Sequence, residues 1–169
     1  MEIKKSTRLA MLLSLSVVLS ILESFIPFFN GTILGLKIGL ANSVILFVLY
    51  TYSFKDAITL SILRVLLMGI LRTGLFSTTF FFSLSGAFLS IIMMYLFKKI
   101  TKLSIIGISI IGSISHSIGQ VLMAMLLLKN INTIYYLPWV LLFSIPTGIL
   151  IGIISKELLN YFDVKYLEK

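Results

Sequence analysis

The sequence predicts an all-α integral membrane protein: one domain, a six-transmembrane-helix bundle with N and C termini in the cytoplasm. Three observations predict it. The first is composition. Of 169 residues, 59% are hydrophobic and only 12% charged, against roughly 45–50% and about 25% in soluble domains, and mean hydropathy is +1.11. A soluble core could not hide that much apolar surface, so lipid is the fitting solvent. The second is six apolar runs of bilayer-spanning or near-spanning length. The third is the distribution of Lys and Arg around those runs.

A helix needs roughly 20 apolar residues to cross the hydrocarbon core. The candidate spans are 9–28, 39–52, 56–71, 77–97, 103–128 and 136–161. The first follows Lys4, Lys5 and Arg8. Its run has no small-residue cleavage site and ends near polar Glu23, so it reads as a retained helix rather than a signal peptide. The second and third spans are short. A tight turn at Ser53-Phe54-Lys55-Asp56 joins them as a helical hairpin. The fourth begins after Ser77, and the fifth runs from Leu103 with Ser109, Ser113 and Ser117 at four-residue spacing. The sixth carries Gly148-x-x-x-Gly152. Small residues at such spacing let helices approach closely in lipid.

With six spans, one side collects Lys4, Lys5, Arg8, Lys55, Lys98, Lys99, Lys102, Lys156, Lys165 and Lys169. The other receives Lys37, Arg72 and Lys129, and Arg64 lies inside the third helix. The bias places both termini in the cytoplasm and the chain in the cell membrane as a multi-pass protein. The net charge of +8 is thereby read as orientation rather than nucleic-acid binding, because no aromatic-basic polar face accompanies it. No run has the alternating polarity of a membrane barrel strand.

Ionisable groups within the bilayer are costly and usually face a bundle interior or a wet cavity. By this topology Glu23, Lys37, Asn42, Arg64, Arg72, His116 and Gln120 fall toward the outer half, and His116 and Gln120, four apart, share a helix face. Together they outline one polar pocket open to the exterior, with an apparent surplus of cations suited to an anionic ligand. Each has a plainer role as well. Glu23 is also placed to form an ion pair with Lys37 or Arg72, Lys37 and Lys129 to snorkel toward headgroups, and Asn42 to cap its helix. His116 and Gln120 form a candidate interhelical hydrogen-bonding pair. Phe80, Phe81, Phe82, Tyr135, Tyr136 and Trp139 read first as an interfacial belt, and alternatively as a stacking surface. Ala10, Ser14, Ser16 and Ser20 form small-residue pairs on the first helix near its cytoplasmic end, where a partner could dock.

Several chemistries lack their residues. The chain has no cysteine, which excludes disulfides, Cys-ligated zinc and thiol nucleophiles. There is no G-x-x-x-x-G-K-[ST] loop for ATP. Asp56 and Asp163 stand alone, without the paired aspartates that hold Mg²⁺ against a diphosphate. Ser83-Leu84-Ser85-Gly86 with His116 is an incomplete serine-protease pattern. The chain is expected to be neither an enzyme nor a cofactor protein.

Five stretches then carry a resemblance: Arg8-Leu9-Ala10; Leu22-Glu23-Ser24-Phe25-Ile26-Pro27; Leu36-Lys37-Ile38-Gly39-Leu40-Ala41-Asn42; Leu63-Arg64-Val65-Leu66; and His116-Ser117-Ile118-Gly119-Gln120. They resemble the Gx transporter family, whose members are often labelled heptaprenyl diphosphate synthase component I. That family is similar to the substrate-binding S components of energy-coupling factor (ECF) transporters, small six-helix bundles with cytoplasmic termini. The resemblance implies capture of a small solute outside, and partnership with an ECF transmembrane coupling subunit and two ATPase subunits. It implies docking through an A-x-x-x-A stripe on the first helix, here Ala10 and Ser14 or Ser16 and Ser20. It also implies a lid over residues 27–35, with Gly31 and Gly35 as hinges. The family label implies the rival, a non-catalytic membrane accessory subunit of a polyprenyl diphosphate synthase.

Overall fold

The computed structural model describes residues 2–25 and 39–162, and every regular element among them is helical. Six α-helices follow in order: α1 (Glu2–Ser24), α2 (Leu40–Thr51), α3 (Phe54–Met68), α4 (Thr78–Ile100), α5 (Ile105–Leu128) and α6 (Leu137–Tyr161). A π-helical segment (Gly69–Thr73) continues α3, and a 3₁₀ segment (Ile131–Tyr136) precedes α6. Four stretches are long and apolar enough to cross a membrane: Ile3–Ser24, Thr78–Ile100, Ile105–Leu128 and Ile131–Tyr161. This is the pattern of a membrane protein. The α2 and α3 helices have 12 and 15 residues. At 1.5 Å per residue they reach only about 18 and 22 Å.

Local chemistry fixes the boundaries. Ser77 and Ser104 cap α4 and α5 through side-chain oxygens that accept the Phe80 and Gly107 N–H groups. The turn between α2 and α3 is a capping box. Ser53 Oγ accepts from the Asp56 N–H at 3.2 Å, and the Asp56 carboxylate accepts from the Ser53 N–H at 3.1 Å. Lys5 adds an ion pair to Asp56 at 2.7 Å, tying the start of α1 to the start of α3. Lys5 is half exposed, so its bridge contributes little, whereas the box satisfies two helix-end donors. Asp56→Ala is therefore expected to cost about 1–2 kcal/mol and Lys5→Ala clearly less. Thermal unfolding of the two variants in one detergent tests this, and a costlier Lys5→Ala would reverse the assignment.

The short helix α2 is buried nearly all round: Ala41, Ser43 and the whole run Val44 to Leu49 are inaccessible. It supplies Ile45, Leu46, Phe47, Val48 and Leu49 to the main core, which Ala57, Leu60, Ile91, Met94, Ile108 and Leu159 complete. A helix apolar on every face has to sit inside a bundle. The α1 helix lies against α2 and α3, while α5 packs along its length against both α4 and α6.

Those two α5 interfaces are built on glycine. A methyl group at Gly148 would come within 2.7 Å of the Ile110 Cα, and one at Gly152 within 2.7 Å of the Ile106 Cα. Opposite them lie Ser113 and Ser109, so the serine and glycine stripes legible in the sequence face each other. On the other side, a methyl at Gly119 would meet the Ser85 carbonyl oxygen at 2.8 Å. Hydroxyls bond across the same contact: Ser85 donates to the Gly119 carbonyl at 2.7 Å and Ser90 to the Gly112 carbonyl at 2.8 Å. Close backbone approach and interhelical hydrogen bonds are the means by which helices associate in lipid.

Candidate functional site

All six helices contribute to one cavity. Its place follows from α1. Lys5 marks one end of that 23-residue helix and Glu23 the other, about 27 Å away at helical rise. The cavity lies at the Glu23 end, opposite the Lys5–Asp56 bridge.

Glu23, in the last turn of α1, is 7% exposed. Its carboxylate accepts a hydrogen bond from the backbone N–H of Gly39, the residue that precedes α2 and has φ +81°. Only a residue without Cβ adopts that backbone freely. The acid thus joins the end of α1 to the beginning of α2, and both residues line the cavity. In α3, Arg64 is 7% exposed among apolar neighbours. Its Nη1 donates to Asn42 Oδ1 of α2 at 2.9 Å. Glu23 lines the same cavity. Arg64 is therefore a buried cation held by a neutral amide beside a hollow.

The facing wall comes from α5 and α6. Ser113, His116, Ser117 and Gln120 recur at the i, i+3, i+4, i+7 spacing of one helix face and all line the cavity. Ser117 and Ser144 are hydrogen-bonded through their hydroxyls, and Ser144 donates onward to the Val140 carbonyl at 2.7 Å. Thr147 adds another hydroxyl. Val65, Met68 and Phe80 provide an apolar flank. Phe80 rests over Gly69, where a methyl group would meet its ring at 2.9 Å. The π segment brings Thr73 to the rim, and such segments recur at functional sites. The cavity measures ≈ 80 Å³, room for roughly 5–8 waters at about 10–15 Å³ each.

The structure brings together Glu23, Asn42, Arg64, His116 and Gln120 from the residues the sequence singled out. Arg72 is elsewhere. It is exposed, bonds the Ser24 hydroxyl and, at 3.1 Å, the Ser24 carbonyl, and its guanidinium lies 5.0 Å from the Phe25 ring centroid. It thus satisfies a carbonyl left open at the end of α1 instead of facing the cavity. Lys37 and the proposed 27–35 lid lie outside the described residues. Among the described residues of the cavity, the ionisable groups are Glu23, Arg64 and His116.

The stripe on α1 divides. Ala10 and Ser14 are exposed, whereas Ser16 is 0% exposed and Ser20 lines the cavity. The sequence offered Phe80 first as part of an interfacial belt and second as a stacking surface, and the structure places it in the cavity wall, while Tyr135, Tyr136 and Trp139 are exposed. It also took Ser113 and Ser117 for packing residues alone. The polar face they form with His116 and Gln120 was the available signal.

Residues 12–158 match the family described as heptaprenyl diphosphate synthase component I. No curated protein and no solved structure matches the chain.

Proposed function

The chain belongs to the heptaprenyl diphosphate synthase component I family, and from that premise we propose that it is the substrate-binding S subunit of an ECF-type transporter. It captures a small, anionic solute from outside the cell for uptake driven by partner subunits. The observation that carries this reading is the cavity: a buried guanidinium and a polar helix face look into one hollow at the end opposite the Lys5–Asp56 bridge.

In this role the six helices cross the cell membrane with both termini in the cytoplasm. Energy comes from two ATPase subunits through a transmembrane coupling subunit. This agrees with a sequence that carries no phosphate-binding loop of its own. Arg64 and Asn42 bind the anionic group, and His116 and Gln120 hydrogen-bond the rest of the solute. Glu23 fixes Gly39 at the rim. Ala10 and Ser14, small and outward on α1, form the face offered to the coupling subunit.

The family's description favours a second reading, a membrane accessory subunit beside a soluble prenyltransferase. One experiment separates them. The protein is purified from its native membranes and its bound small molecules are identified by mass spectrometry, for the wild type and for His116→Ala. A solute present in the first and depleted in the second supports capture. A protein without solute that co-elutes stably with a prenyltransferase supports the accessory role and removes the transport reading.

A further inference from the structure

We propose that one corner of the bundle is a headgroup site for an anionic phospholipid, with Lys99, Lys102 and Lys156 around its phosphate. The inference is independent of the solute-binding reading, because the corner lies at the end of the bundle away from the cavity.

Helix register brings the three lysines to one level. Two close approaches set α6 antiparallel on α5: a methyl at Gly148 would meet the Ile110 Cα and one at Gly152 the Ile106 Cα. Lys156 stands four residues beyond Gly152, and Lys102 four before Ile106, so the two come level where the contact ends. On the other flank α4 runs antiparallel to α5, with Ser85 bonded to the Gly119 carbonyl and Ser90 to the Gly112 carbonyl. Lys99 is nine residues beyond Ser90, and Leu103 nine before Gly112, so Lys99 arrives at the same level. All three lysines are exposed. The end is that of the Lys5–Asp56 bridge. Lys98 donates to the Leu49 carbonyl at 2.8 Å, and Tyr95 stacks on Phe54 with ring centroids 4.2 Å apart, which joins the last turns of α4 to the α2–α3 turn. Lys98 is thereby committed to the end of α2, whereas Lys99, Lys102 and Lys156 form no ion pair with a described residue.

The charge at this corner is unbalanced. The α4 and α5 helices and the turn between them hold no acid, and α6 holds Glu157 alone. The residues after α6 add two acids and two lysines, which leaves the balance unchanged. At the far ends of the same three helices the described residues carry one charge, Lys129. Three cations at one level attract an anion and repel one another without it. The surroundings select a lipid over a free phosphate. Leu96 and Ile153 lie one turn inward from Lys99 and Lys156 on the same helix faces, and they are exposed, as is Ile100. A headgroup at the lysines would lay its acyl chains along these side chains.

Dioleoyl phosphatidylglycerol and dioleoyl phosphatidylcholine share their chains and differ in headgroup charge. The purified protein in detergent is titrated with each, and bound lipid is read by native mass spectrometry. We expect phosphatidylglycerol to bind at least about tenfold more tightly, within the reach of two or three lysines at a membrane surface. The triple substitution Lys99→Gln, Lys102→Gln, Lys156→Gln is expected to remove most of that preference. Lys4→Gln with Arg8→Gln takes two cations from α1 at the same end and is expected to preserve it. Equal binding of the two lipids to the wild type overturns the proposal. A preference that survives the triple substitution, or falls as far in the α1 control, overturns its placement at this corner. Displacement of the lipid by glycerol 3-phosphate at about 10 mM, a range in which weak binding is visible, makes the ligand a phosphate and not a lipid. Should the triple variant fail to elute as a single species, the three single substitutions replace it, and at least one is expected to lower the preference about threefold.

Discussion

Arg64→Ala is expected to lower solute affinity at least about thirtyfold, the equivalent of 2 kcal/mol for a buried charge-assisted contact, while leaving a folded protein. The two effects separate for a physical reason. Arg64 is buried at 7% exposure, and its direct protein partner is a neutral amide. Removing it takes away an incompletely compensated charge and leaves Asn42 with cavity space around it, so the helices lose little. A bound anion, by contrast, loses a fixed counter-charge that mobile water replaces only in part. The Glu23 carboxylate keeps its bond from Gly39, so the junction of α1 and α2 persists. Equilibrium binding of the co-purified solute, measured beside thermal unfolding of the same preparation, decides the matter. A variant that unfolds without losing affinity would make Arg64 a structural residue.

Gly148→Leu is expected to have the opposite profile, a loss of at least about 3 kcal/mol in stability, at the upper end of overpacking penalties. A first methyl already falls 2.7 Å from the Ile110 Cα. The obstacle is backbone, which cannot rotate aside as a side chain can, so α6 has to move away from α5. That separation also pulls Ser144 from Ser117 and opens the polar wall of the cavity. Gly107→Ala is the matched control. Its added methyl would meet the Leu103 Cβ at 3.4 Å, an ordinary contact, and alanine is the better helix former by about 1 kcal/mol. Melting temperatures and elution profiles of the two variants should diverge in sign. Equal behaviour would mean that the α5–α6 contact does not hold the bundle.

The helices themselves were legible because hydrophobic run length and capping chemistry are local. Span 39–52 became α2 at Leu40–Thr51 and span 103–128 became α5 at Ile105–Leu128. The turn at Ser53 formed the hairpin between the two short helices. The first helix was read less well. It begins at Glu2 rather than 9, since its basic first turns are helical despite their charge, and it ends at Ser24. Of the site, the cost of placing an ionisable side chain in lipid singled out Glu23, Arg64 and His116, which line the cavity. The same argument drew in Arg72, whose partners prove to be the Ser24 hydroxyl and carbonyl and the Phe25 ring.

By itself, the sequence determined that this chain makes long apolar helices, that polar groups interrupt them at one end, and that serine and glycine stripes exist for close contact. All of these depend on residues within a turn or two of each other. Only the tertiary structure decided that Asn42 would be the direct partner of Arg64, that Phe80 would turn inward over Gly69, and that Ser16 and Ser20 would face the bundle while Ala10 and Ser14 face out. Which side of a nearly uniformly apolar helix faces inward is not written in its own periodicity. It is settled by where neighbouring backbones can approach, and in this protein the glycines of α4, α5 and α6 set that approach.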